Sequence, residues 1–384
     1  MQSFVFHAPT EIIFGKGEEE KAGELIKKYG GTRVFVVYGG GSVVKSGLLD
    51  RITAKFEDKH MLFGGVQPNP LLSHAREGIK KAIEFDADFI LAVGGGSVID
   101  TAKAIAHGVK TPDVDIWKFW KREVELKQSL PVGVVLTISA AGSETSNSAV
   151  ITNADIGEKR GLNTEFNRPR FTIMNPELTY TVPRYHVAAG IADIMMHTMD
   201  RYFTPQEGNE FTDAIATGLL LTVIKNAPVL LENPTNYDAA SEIMWCGSIS
   251  HNGITGLGRP VDFSVHGLGH ELSGRFDVSH GASLTTMWGS WAEYVLDVNP
   301  SRFEKYAKDV WGVGEARAGI EATVNFFKSI GMPTCFTELG IGIQSDDVIN
   351  EMADSCVFYG GRKVGSFMPL DKSNVADIYK RANR

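Results

Sequence analysis

Cysteine is scarce in this chain. The three thiols among 384 residues, Cys246, Cys335 and Cys356, are odd in number, far apart and without a CxxC pair. That excludes a disulfide framework and a thiolate metal knuckle, and the three read as small buried hydrophobes of a reducing compartment. No run approaches about 18 uninterrupted apolar residues, so no membrane span is expected. The opening MQSFVFH has no basic lead-in and turns acidic by Glu18, Glu19 and Glu20, which is not a signal peptide. Positive charge is short too: 38 Lys and Arg stand against 46 Asp and Glu, a net charge of −8. A nucleic-acid partner, which would call for a basic excess or stripe, is therefore not expected. With 43% hydrophobic and 22% charged residues, disordered and low-complexity classes are excluded as well. A cytoplasmic protein remains.

The length suits two domains. In the first half, continuous apolar runs alternate with helical patterns. Residues 33–38 (RVFVVY), 89–93 (FILAV) and 132–137 (VGVVLT) read as strands, and 70–85 as a helix between the first two. Unbroken apolar strands separated by helices indicate a parallel sheet covered on both faces. After Pro183 strand signals fade and helical stretches take over, at 188–202, 211–231, 239–252, 282–298 and 319–330. The expectation is a Rossmann-like α/β domain over residues 1–180 and an all-α domain over 181–384.

Each of the three strands runs into a small-residue turn: Gly39-Gly40-Gly41-Ser42, Gly94-Gly95-Gly96-Ser97 and Ala140-Ala141-Gly142-Ser143. Turns at the carboxyl ends of parallel strands feed helix N-termini, where free amides and the positive dipole end receive anions. The middle turn is the strongest candidate, with Gly95 and Gly96 allowing close backbone approach and Ser97 adding a hydroxyl. The spacing is not G-x-G-x-x-G, so an ordinary Rossmann half-domain is not indicated. Asp100 either complements the helix dipole or hydrogen-bonds a ribose or nicotinamide group.

In the helical half, Asp193 and His197 stand at i and i+4 beside Ile194, Met195 and Met196. His266 and His270 repeat that spacing, and His280 follows in VSHGAS. Groups one helical turn apart can bind one metal ion jointly. A single histidine of this kind is ordinarily a hydrogen-bonded core residue, but a buried carboxylate such as Asp193 is costly without a cation. The other histidines, His251 among them, lack such company and read as structural.

Taken together, GGGSVIDTAKAIA (94–106), GSE (142–144), the Asp193/His197 pair and the His266/His270/His280 set resemble the iron-containing alcohol dehydrogenases. The YGGGSVVKSG (38–47) and GGVQPNP (64–70) segments resemble that family's butanol dehydrogenase and NADPH-dependent aldehyde reductase branch. The resemblance runs end to end. It implies a dehydroquinate-synthase-like architecture, a dinucleotide domain followed by a helical metal domain with the active site in the cleft between them, and a homodimer. Matched residue by residue, it implies a divalent metal, Fe2+ or Zn2+, on Asp193, His197, His266 and His280, with His270 beside the ion but not on it. The pyrophosphate of the cofactor would lie on Gly95, Gly96 and Ser97. Asp100, Thr137 and Lys159 match positions facing the nicotinamide side, the adenosine side and the ribose, and Asn69 borders the adenosine end. Family members commonly have Thr where this chain has Ala141, so one hydroxyl contact to the cofactor is missing here.

The implied activity is hydride transfer between NADP(H) and a small-to-medium alcohol or aldehyde such as butanal. The metal would polarise the carbonyl, and His270 would begin a proton relay. NADP(H) is expected over NAD(H) because Gly40, Gly41 and Ser42 put no carboxylate where a 2′-phosphate would lie. Apolar Met196 and Phe263 fit an uncharged substrate. The alternatives are a glycerol-dehydrogenase-like or dehydroquinate-synthase-type enzyme of the same fold, and a non-enzymatic metal-binding protein.

Overall fold

The computed structural model describes residues 1–56 and 59–384. They form two compact units, His7–Val182 and a second made of Met1–Phe6 with Pro183–Arg384. The division falls two residues beyond the expected position. The first six residues join the second unit, where the Gln2 amide donates to the Gly258 carbonyl at 2.8 Å.

The His7–Val182 unit holds a six-stranded parallel sheet whose strands lie in the order β1 (Glu11–Phe14), β8 (Phe171–Met174), β5 (Val132–Leu136), β4 (Phe89–Gly94), β2 (Arg33–Tyr38) and β3 (Lys59–Phe63). β2 (Arg33–Tyr38), β4 (Phe89–Gly94) and β5 (Val132–Leu136) lie centrally, and nearly every side chain in them is buried. Helices cover the sheet, including Leu72–Glu84 and Gly96–Lys110, so both faces are dry and the central strands are apolar throughout rather than alternating. One core cluster joins Val34, Val36, Leu91, Val93 and Phe171, and another packs Trp117, Phe119 and Trp120 against Ile151.

Several strands carry no such signature. β1 (Glu11–Phe14) and β8 (Phe171–Met174) are four residues long, and β3 (Lys59–Phe63) is a largely exposed edge. β6 (Ser148–Asn153) and β7 (Glu158–Asn163) form a separate antiparallel hairpin.

In the second unit, among the described residues, no strand follows β8; a lone antiparallel bridge joins Val364 and Leu370. Helix Arg184–Tyr202 is the centre, with fifteen consecutive buried residues from Ala188 to Tyr202. Packed around it are Glu210–Glu232, Tyr237–His251, Ser264–Phe276 and His280–Val295. Glu210–Glu232 is long and apolar enough to cross a membrane by length and composition, but a third of its most apolar window is buried in this unit. At its start, Asp213 pairs with both Arg259 and Arg302, and Arg302 also donates to the Tyr202 carbonyl. The carboxylate thus compensates buried guanidinium charge where three segments meet.

Candidate functional site

In the His7–Val182 unit, β5, β4 and β2 are parallel neighbours, so their three small-residue turns emerge side by side at one edge of the sheet. The strand order reverses between β2 and β4, and open α/β sheets receive ligands at such a switch point. Helix Gly96–Lys110 begins in the middle turn with no side-chain cap and no acidic residue in its first turn. Its first amides and positive dipole end are available to an anion.

The glycines of these turns answer to different constraints. A Cβ on Gly95 would lie 2.0 Å from Ile138 Cγ2, and one on Gly96 would lie 3.2 Å from Ala141 Cβ, so the third turn closes down on the second. Gly40 and Gly41 face open space, with nothing within 4 Å of an added Cβ, and Gly41 has φ 108°. Packing therefore requires Gly95, backbone conformation requires Gly41, and Gly40 is held by neither.

Both carboxylate oxygens of Asp100 are engaged. Oδ1 accepts from Ser143 Oγ at 2.5 Å and Oδ2 from the Val150 amide at 2.8 Å. One turn further along, fully buried Lys103 donates at 2.7 Å to the Ser143 carbonyl, Ser143 Oγ and the Ser148 carbonyl. Burial pushes the Asp100 carboxyl up and brings the Lys103 ammonium down to about 8. Asp100 thus braces the third turn. The Thr137 amide donates to the Gly94 carbonyl at 3.1 Å, which places its half-buried side chain just past β5. On the hairpin, Lys159 Nζ donates to Asn69 Oδ1 at 2.8 Å, and Asn69 takes the left-handed conformation (φ 56°).

The second unit gathers Asp193, His197, His266 and His280. From Asp193 Oδ1, His197 Nδ1 lies at 3.1 Å, His266 Nε2 at 3.7 Å and His280 Nε2 at 3.9 Å. One donor atom each from Asp193, His266 and His280 falls within 4.8 Å of the others, and the His197 and His266 ring centres are 4.3 Å apart. Glycines beside the histidines allow this convergence: a Cβ on Gly269 would meet Leu284 Cδ2 at 2.8 Å, and Gly281 sits on the backbone of Ala189. His270 stands next to the cluster, its ring 5.1 Å from His280 and 6.3 Å from His266.

The electrostatics favour a cation. Burial opposes ionisation of Asp193, yet the positive potential of His197 and His280 holds its carboxyl well below the ordinary carboxylate range. Burial lowers His197 despite Asp193. His266 is raised despite burial, because Asp193 and Asp200 both face it. Asp193 Oδ1 and His266 Nε2 are buried and have no hydrogen-bond partner. His197 Nδ1 donates to the Asp193 backbone carbonyl at 3.1 Å, which leaves its Nε2 lone pair for another partner. Buried acceptors without donors cost about 1–3 kcal/mol each, and a divalent ion among these atoms would satisfy them together. The atoms that converge are one carboxylate oxygen and two imidazole nitrogens, from Asp193, His266 and His280, with the His197 ring adjoining but outside that group. A donor set of this kind suits a divalent ion, so the residues present fit a metal.

Two neighbours are not among the candidates that the sequence singles out. His251, read as structural in the sequence, has its ring centre 4.0 Å from that of His197, and its Nδ1 accepts from Arg201 Nη2 at 2.9 Å. Asp200 lies against His266 from the central helix; it stands at i+7 from Asp193, and the i, i+4, i+7 series of Asp193, His197 and Asp200 would have marked it. Met196, expected to border a substrate, is instead fully buried in the helix core, whereas Phe263 is half-buried with its ring 5.1 Å from His266.

Comparison with known proteins follows the same division. Residues 9–176 match the profile of the iron-containing alcohol dehydrogenases, and residues 187–383 match that of the C-terminal region of the Fe-containing alcohol dehydrogenase family. The chain is 39% identical to the NADH-dependent butanol dehydrogenase A of Clostridium acetobutylicum over 100% of both. It is 36% identical to the NADPH-dependent aldehyde reductase YqhD of Escherichia coli over 89% of this chain and 90% of that one. The crystal structure of NADH-dependent butanol dehydrogenase A from Thermotoga maritima superposes with a TM-score of 0.96 at 34% identity, covering 100% of this chain and 99% of that one. These relatives do not favour the glycerol-dehydrogenase-like alternative. The chain belongs to the iron-containing alcohol dehydrogenase family, in its butanol dehydrogenase and aldehyde reductase branch, and is an oxidoreductase of the alcohol dehydrogenase and aldehyde reductase class.

Proposed function

We propose that this chain reduces small-to-medium uncharged aldehydes such as butanal with NADPH, using a divalent metal held by Asp193, His197, His266 and His280. The observation that carries the reading is the convergence of buried, unsatisfied Asp193 Oδ1 and His266 Nε2 in a nest of imidazoles. Fe2+ and Zn2+ both fit this donor set. When bound, the ion supplies Lewis-acid polarisation of a carbonyl and the nicotinamide supplies a hydride.

The residues of the chain divide the remaining work. In the His7–Val182 unit, the uncapped amides at the start of Gly96–Lys110, with Gly95, Gly96 and Ser97, seat the pyrophosphate. Lys159 and Asn69, already hydrogen-bonded to one another, stand for the ribose and the adenosine border, and Thr137 for the adenosine side. Asp100 holds the third turn in place through Ser143. Gly40, Gly41 and Ser42 leave space and donors for a 2′-phosphate. In the helical unit, the His270 ring beside His280 is positioned to hold and pass a proton. The half-buried Phe263 ring favours apolar substrates, and Arg201, the cation near His251, is committed to the His197 and Ser250 carbonyls and to His251.

Curated relatives are named for both cofactors, NADH for the Clostridium protein and NADPH for the Escherichia one. The preference for NADPH rests on the absence of a carboxylate at Gly40. A cytoplasmic homodimer completes the reading; exposed Phe211, Leu221 and Val229 on Glu210–Glu232 are compatible with a covered face.

The test is metal analysis of protein purified without air, together with NADPH oxidation followed at its absorbance band. One divalent ion per chain is expected, with higher kcat/KM for butanal than for a 2-oxo acid of similar size. A metal-free protein with full activity, or the reverse substrate order, would refute the reading.

A further inference from the structure

Helix Arg184–Tyr202 presents three acidic or imidazole groups along one face, Asp193, His197 and Asp200, at i, i+4 and i+7. The first two belong to the metal nest. Asp200 is 1% exposed and does not face Asp193 Oδ1; it meets the opposite edge of a third nest residue. His266 Nδ1–H donates to Asp200 Oδ2 at 2.6 Å, and the His266 backbone amide approaches the same oxygen at 3.3 Å. The Asp200 carbonyl in turn accepts from the Asp262 amide at 2.8 Å, which ties the entry to helix Ser264–Phe276 back onto the central helix.

The consequence for His266 follows from imidazole chemistry. A neutral ring that donates from Nδ1 has its lone pair on Nε2. That Nε2 is the buried atom without a hydrogen-bond partner, 3.7 Å from Asp193 Oδ1. The oxygen that fixes one nitrogen therefore decides which nitrogen faces the nest, and it also fixes the tilt of the ring. A carboxylate in this place raises the basicity of the ring it holds.

We propose that Asp200 is a positioning residue of the metal centre: it locks His266 with Nε2 as the ligating atom and strengthens that ligand through its charge. The inference rests on the metal reading given above. It assigns Asp200 no contact with substrate or ion.

The experiment measures the affinity of the metal-free protein for Zn2+ by competition with a chromophoric chelator. The proteins are the unaltered chain, Asp200→Asn, His266→Ala and the double variant. Asp200→Asn keeps the shape and one acceptor oxygen but removes the charge, and partner-deletion effects of this type weaken binding by roughly 10–100-fold. A weakening of about tenfold or more is expected in the single variant, with thermal unfolding of the metal-free form little changed. In the His266→Ala background the same substitution should weaken binding no further, because the ring it acts through is gone. Asp200→Glu should recover part of the affinity if it folds, and Asp200→Asn decides the matter by itself if it does not. Zn2+ affinity within twofold of the unaltered chain in Asp200→Asn, or an equal loss in both backgrounds, would overturn the inference while leaving the metal site intact. Absence of Zn2+ binding by the unaltered chain would overturn the metal reading, and this inference with it.

Discussion

Gly281 rests directly on Ala189: a Cβ at Gly281 would stand 2.0 Å from the Ala189 carbonyl oxygen. The contact is backbone to backbone, so no side chain can swing away to relieve it. It sets how closely helix His280–Val295 approaches the central helix, and His280 is the first residue of that helix. Gly281→Ala should lower stability by at least about 1–3 kcal/mol, the usual cost of overpacking, and should move His280 outward. Thermal melts with and without Zn2+ check both: a lower Tm is expected, together with a smaller stabilisation by the ion. An unchanged pair of melts would contradict the contact.

His266→Ala and His280→Ala should each be isolated without metal and lose nearly all turnover while remaining folded, the remaining donors keeping only weak affinity for added Zn2+. Each removes one of the donors that lie within 4.8 Å of one another. Circular dichroism and metal content measured on the same preparation decide it; retention of one equivalent of metal with full activity in either variant would be the contrary result.

His270→Ala should part company with those two. Its ring lies 5.1 Å from that of His280 but 6.3 Å from that of His266, whereas the His197 ring stands 4.3 Å from His266. The expected outcome is full metal content with a reduced kcat. Loss of the ion would place His270 among the ligands.

Cofactor choice should turn on Gly40. A side chain there meets nothing within 4 Å and the residue is not in the left-handed region, so an aspartate enters without steric cost. Its effect is then electrostatic, repulsion of a 2′-phosphate, and Gly40→Asp should cut kcat/KM with NADPH at least about tenfold, roughly 1.4 kcal/mol, while sparing NADH. Parallel kinetics with the two cofactors measure this, and equal losses would show that the turn does not read the phosphate.

Acid should destabilise the His7–Val182 unit partly through His107. Burial brings this imidazole down to about 4; its Nε2–H donates to Asn167 Oδ1 and Nδ1 faces Ser129 Oγ, both at 2.8 Å. The unfolded chain takes up this proton near pH 6.5 and the folded chain only near 4, so the stabilisation is complete above pH 6.5 and falls as the pH drops towards 4. The full loss is about 3 kcal/mol. Denaturant titrations across that window should give a flatter pH profile for His107→Gln than for the unaltered chain; superimposable slopes would speak against it.

Legibility in the sequence followed burial and locality. β2, β4 and β5 announce themselves because both sheet faces are covered and each residue must be apolar. β3 is an exposed edge with Lys59 and His60 in it, and the β6–β7 hairpin is too polar to stand out, although it carries Lys159. Asp193 with His197, and His266 with His270, are visible because one helix supplies both members of each pair. His251 is not, because it reaches His197 from another helix. Asp100 shows the limit in the other direction: its position in the sequence suggests a cofactor role, and only the fold adds Ser143 and the Val150 amide on its two oxygens.

The attachment of Met1–Phe6 to the later unit bears on how the molecule is made. Synthesis delivers Met1–Phe6 well before their docking site: the Gly258 carbonyl that receives the Gln2 amide emerges only after the whole His7–Val182 unit. The leading segment must therefore wait, undocked, while the residues behind it can already form their sheet. Any extension fused ahead of Met1 is carried to the surface around Gly258 of the helical unit, where Met1 Cγ lies 2.6 Å from the site of a Gly258 Cβ. A bulky fusion at this end should consequently slow completion of the helical unit and leave the strands of the first unit unaffected.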